Sequence, residues 1–183
     1  METATSQVIG QLSRYMRGLT QRLDPGSGWY GEFLRRDPEG MRACLDGAAM
    51  PPWDVLESLL GDLVPSVGPE ALARETQYAA GLRAGAVGVW DRLPGGVEEL
   101  HTLLASAAEQ RARARAALRA LSARLAETTD PAEAEALSRE LSWTRDDHAR
   151  ATARHEDLAT RLEAVAPGAD RRETDRPGHP SPA

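Results

Sequence analysis

The sequence predicts an all-α chain: a small helical (helix-turn-helix-like) bundle followed by a long antiparallel coiled-coil helical hairpin. Three observations predict it. Apolar residues recur at steps of three and four along most of the chain. Clusters of Pro, Gly and Asp break the first half at short intervals. From Val97 onward a 3.5-residue apolar period continues for about four heptads on either side of a single short break.

The first helix is expected from about Ser6 to Leu23, with Val8, Leu12, Tyr15, Leu19 and Leu23 on one side. The turn-forming run Asp24-Pro25-Gly26-Ser27-Gly28 stops it. Trp29 to Arg36 is a short second helix. Asp37-Pro38-Glu39 starts a third, because Asp37 can accept from free backbone N–H groups and Pro38 suits the first helical position. Met41, Cys44 and Leu45 face inward, and Gly47 is a candidate left-handed terminus. After Pro51-Pro52, Trp53 to Val64 is the fourth helix. A fifth, from Glu70 to about Arg92, is Ala-rich and carries Gly81, Gly85 and Gly88. Each glycine weakens a helix by about 1 kcal/mol relative to Ala, so this segment is either loose or closely approached by another helix.

The seam begins at Val97 and steps through Leu100, Leu104, Ala107, Arg111, Ala114, Leu118, Leu121 and Leu125. Beyond Thr128-Thr129-Asp130 it resumes at Ala134, Leu137, Leu141, Thr144, His148, Ala151, His155, Leu158, Leu162 and Val165. Asp130, Pro131 and Glu133 form a helix start, and so short a connection makes the two helices antiparallel neighbours. Pairing about Thr129 sets Arg111 opposite His148 and His155 opposite Leu104. An isolated polar layer of that kind fixes register, or acts as a pH-sensitive contact through His148. Each helix is about 45–50 Å long, too thin a hairpin to bury both its sides alone. It needs the first half, a second copy or a partner to pack against.

These segments divide the chain into a helical domain over 1–66, a connecting helix with a Gly/Pro turn over 67–96, the hairpin over 97–165, and a disordered tail over 166–183.

Composition narrows the function classes. All 22 basic residues are Arg, which reads as the coding bias of a high-GC genome. The net charge of −6 is not segregated: residues 1–66 carry six Arg against nine acids, and residues 97–165 carry ten against thirteen. Neither half is basic, which argues against strong non-specific nucleic-acid binding. The N-terminus has no leader pattern, a lone Cys44 allows no internal disulfide, and no apolar run suits a membrane span. A cytoplasmic protein without a membrane partner is expected.

No chemistry-bearing constellation stands out. There is no nucleophile elbow, glycine-rich phosphate loop or paired carboxylate motif, so no enzymatic activity and no cofactor are expected. His148 and His155 lie one heptad apart, about 10 Å along the helix, too far for one metal ion. Asp146 and Asp147 read as solvated charges, and Cys44 as a small buried hydrophobe. The spaced acidic and basic signature by which some helical anti-sigma hairpins bind cyclic-di-GMP is missing, since no Glu has Ser four residues later.

Residues Met41 to Leu60, with Leu45, Gly47 and the Pro51-Pro52-Trp53 helix start, resemble the repressor-like (Xre-class) helix-turn-helix domains common in actinobacteria. The stretch Leu141 to His148 is similar to proteins that join such a domain to a coiled coil. The resemblance implies that Trp29–Arg36 is the positioning helix and Pro38–Leu45 the recognition helix. Glu39, Arg42 and Ala43 would then face the major groove, with Arg35 and Arg36 near phosphates. It implies a transcriptional regulator that binds DNA and self-associates, or recruits a protein, through Leu104, Arg111, Leu118, Leu121, Leu141, His148 and His155. The acidic opening Asp37-Pro38-Glu39-Gly40 of the recognition helix favours the rival, a non-DNA-binding coiled-coil adaptor.

Overall fold

The computed structural model describes residues 3–166, and among them the chain is all-helical. Of the tail read over 166–183, all but Ala166 lies outside the described residues. Seven helices follow in order: α1 Ala4–Thr20, α2 Gly28–Arg36, α3 Pro38–Asp46, α4 Trp53–Gly61, α5 Pro69–Trp90, α6 Gly96–Glu127 and α7 Pro131–Val165. No helix is long and apolar enough to cross a membrane among the described residues.

Local chemistry sets most boundaries. Thr3 caps α1 by accepting from Ser6 N at 3.3 Å. Asp37 accepts from Gly40 N at 2.9 Å and Pro38 opens α3. Gly47 ends α3 in the left-handed region at φ 73°. The start of α2 is capped from a distance. Ser27 makes no side-chain cap, and the Asp62 carboxylate beyond α4 accepts from Trp29 N at 3.1 Å and Tyr30 N at 2.9 Å. That carboxylate occupies the space a Cβ on residue 28 would need, and φ there is 60°, so only glycine fits.

The first five helices share one core. Leu12, Met16 and Leu19 of α1 meet Met41 and Cys44 of α3, Leu56, Leu59 and Leu60 of α4, and Leu63 just beyond α4. Ala79 and Ala86 of α5 are fully buried in the same cluster. The segment 67–96 is therefore not a connector but the fifth helix of the bundle, packed mainly along α1. Ala79 and Ala86 lie deepest, flanked by half-buried Leu72 and Leu82, while Tyr78 is 60% exposed. The glycines do not explain that close packing. A Cβ at Gly81 would meet nothing within 4 Å, and at Gly85 only Val8 at an ordinary 3.5 Å.

The hairpin forms as the period predicts. Two apolar clusters hold it, Leu100, Ala107 and Leu158 at the end away from the turn and Leu121, Leu137 and Leu141 near the turn. Leu104 packs on the first cluster and Leu118 on the second. At the turn Asp130 accepts from Ala132 N at 3.1 Å and Glu133 pairs with Arg124. Val97, read as the first seam residue, is 38% exposed; the helix packs from Leu100 onward.

Candidate interaction cleft between bundle and hairpin

One side of α7 is a ladder of charges: Asp147, Arg150, Arg154, Asp157 and Arg161, at alternating steps of three and four. All five positions immediately precede a seam residue, so they fall beside the seam on a single flank. The bundle meets that flank rung by rung. Arg154 grips Asp54 of α4 through Nε at 3.0 Å and Nη2 at 2.8 Å. Asp157 accepts both Nη groups of Arg83 on α5, at 2.9 and 2.7 Å, while Arg83 Nε donates to the Pro51 carbonyl at 2.8 Å. Arg161 grips Asp91 at the end of α5, at 2.9 and 2.7 Å. The Asp54, Arg83, Asp91 and Arg161 side chains are buried.

Asp147 is not a solvated charge, as its type and neighbours suggested. It accepts from Arg36 of α2 at 2.8 Å and also pairs with Arg150. Arg150 lies 3.6 Å over the ring of Trp29, which meets Trp143 edge-on and stacks on Phe33. Burial lowers the pKa of Arg150 from its ordinary range. For Arg36 burial works in the same direction, but the Asp147 and Glu32 carboxylates outweigh it and raise its pKa.

Between the ladder and the bundle opens a cleft of about 790 Å³. Phe33, Met41, Cys44, Met50 and Val55 form its bundle wall, and Leu103, Ala114 and Ala117 its hairpin wall. Arg36, Asp147, Arg150 and Arg154 edge it, together with Gln110 and Arg113 of α6. Most of these charges are already paired, so the cleft offers an apolar interior with a neutralised rim. Arg113 is the exception, since among the described residues its only ion pair is a 3.5 Å contact to Glu109 with both side chains about three-quarters exposed. Burial pushes the Cys44 thiol from 9.0 to about 11, so it is a protonated wall residue at neutral pH, not a nucleophile.

The residues expected to meet DNA are dispersed in role. Arg35 and Arg36 both bind Glu32, at 2.6 Å each, and hold its carboxyl below the usual carboxylate range. Glu39 and Arg42 are exposed on α3 beside Asp46, and Ala43 is half-buried. The inner side of α3, with Gly40, Met41 and Cys44, faces the cleft. The expected association seam is likewise internal. Leu121 and Leu141 are 6% and 5% exposed within the hairpin, and Leu104, Leu118, Arg111, His148 and His155 are half-buried along it. These residues hold α6 to α7 and leave no seam for a second chain. Among the described residues no cluster of three or more His, Cys, Asp or Glu gathers to hold a metal ion.

The ladder is what the sequence reading missed. Its signal was present as alternating charges one position beside an apolar seam. Nothing local identified Asp54, Arg83 and Asp91 as the rungs' partners, because they sit on two different helices and a helix end. No protein-family model, curated protein or solved structure matches this chain.

Proposed function

We propose that this chain is a cytoplasmic, non-enzymatic helical adaptor, and that the cleft between α3 and the hairpin receives apolar side chains of a partner protein. The observation that carries the reading is the cleft itself. A cavity of about 790 Å³ is lined by apolar side chains from two packed units and edged by a few polar groups. Binding sites concentrate in such places, within a range of about 300–1,000 Å³.

A regulator that binds DNA through α2 and α3 is the second reading. Arg42 supports it, exposed on α3 and without an ion pair among the described residues. Three features weigh against it. Asp37 alone joins α2 to α3, whereas helix-turn-helix units use a turn of about three or four residues. The exposed side of α3 carries Glu39 and Asp46. Arg35 and Arg36 are engaged by Glu32 and Asp147.

Capture from a lysate of the source organism, scored for protein and DNA together, separates the two. The adaptor reading expects one stoichiometric protein, lost in Leu103→Glu and kept in Arg42→Ala, and no DNA retained even at about 50 mM salt. A specific DNA fragment retained by the wild type and lost in Arg42→Ala would establish the second reading instead.

A further inference from the structure

The bundle covers one flank of the hairpin and leaves the opposite flank open. Along that open flank lie Glu98, Arg115 and Arg119 of α6 and Arg145, Glu156 and Glu163 of α7, all exposed. None of the six takes part in an ion pair among the described residues. The signs are sorted along the axis. Because the chain turns between Glu127 and Pro131, Glu156 and Glu163 lie level with the start of α6, beside Glu98. Arg145 lies level with Arg115. Three acids therefore occupy the end away from the turn and three arginines the stretch toward it. Their centres lie about 13 Å to either side of Ala108 at 1.5 Å per residue. Between them the flank is small, with Ala105, Ala108, Ala112, Ala149 and Thr152.

From this charge pattern we infer that the open flank is a homodimer interface. The occupant is a second copy of this chain, lying antiparallel across a two-fold axis near Ala108 and Thr152. That operation lays the three arginines of each copy against the three glutamates of the other. Self-complementarity of this kind is the property an isologous dimer requires. A parallel copy in the same register would oppose like charges. The small central residues allow the helices to approach within about 8–10 Å. The overlap is about 36 Å long and two helices, about 20 Å, wide, roughly 700 Å² per copy. Stable interfaces bury about 800 Å² per partner, so the area is adequate for a dimer of modest affinity. The flank is separate from the cleft, so a monomeric result would leave the adaptor reading intact.

Sedimentation of the full chain tests it with two charge-reversed variants, R115E/R119E/R145E and E98R/E156R/E163R. All six side chains are exposed, and unchanged helicity by circular dichroism checks the fold. The wild type is expected to be dimeric at about 100 µM and low salt. Its dissociation constant should rise by roughly tenfold or more as salt screens the pairs at about 0.5 M. Each variant alone should be monomeric, carrying one sign at all six positions, and a one-to-one mixture should return to the mass of a dimer. A monomeric wild type, a variant that dimerises as well as the wild type, or a mixture that stays monomeric would overturn the interface.

Discussion

Arg161–Asp91 and Arg113–Glu109 are both arginine–carboxylate pairs, in opposite surroundings. The first is bidentate with its side chains 9% and 4% exposed, and the second is a single 3.5 Å contact with both about three-quarters exposed. Solvent and side-chain entropy leave an exposed pair worth about 0–1 kcal/mol. A buried pair has lost its water, so removal of one partner strands a charge. Cys44 illustrates the same cost for a thiol. Burial first, then the Asp37 carboxylate, raises its pKa from 9.0 to about 11. Below pH 9.0 the thiol is protonated folded or unfolded, and it leaves stability independent of pH. As pH rises from 9.0 toward about 11 the unfolded chain ionises and the native one does not, so stability is lost across that window. Urea midpoints measured from pH 8 to 11 should fall less steeply in Cys44→Ala than in the wild type. The difference should be on the order of 2 kcal/mol at the top of the range. Identical slopes would show that the thiol is not desolvated.

At the scale of the helix, what was legible followed from chemistry within a few residues. Asp37, Pro38 and Gly47 bracket α3 through groups they themselves supply, and Asp130 and Pro131 do the same for α7. The seam was legible because an apolar period of 3.5 admits one geometry. The cap of α2 was not, since Asp62 reaches it from 32 and 33 residues away. Nor was the place of α5 in the bundle, because its deepest core residues, Ala79 and Ala86, carry no strong apolar signal. Its glycines tempted two readings, and the open space beside Gly81 supports neither close packing nor a need for flexibility there. Gly81→Ala should therefore stabilise the protein by about 1 kcal/mol, through helix propensity alone. A loss of stability in thermal unfolding would mean that another group occupies that space.

For the molecule as a whole, the ladder decides how bundle and hairpin act together. The bundle has its own core, and the hairpin has two of its own. Few large apolar side chains join them. Arg154–Asp54, Arg83–Asp157 and Arg161–Asp91 hold the two units in register and so shape the cleft between them. Hydrophobic adhesion would tolerate sliding, whereas bidentate forks specify one alignment. The direct measurement is urea unfolding of Asp91→Ala beside Arg113→Ala, followed by tryptophan fluorescence and far-ultraviolet circular dichroism. Asp91→Ala should lose about 3–5 kcal/mol, as expected when a buried pair is broken. Its two probes should separate as the hairpin and bundle come apart, while Arg113→Ala should stay within about 1 kcal/mol of the wild type. Equal, small losses in both variants with coincident transitions would contradict a buried ladder as the joint of this protein.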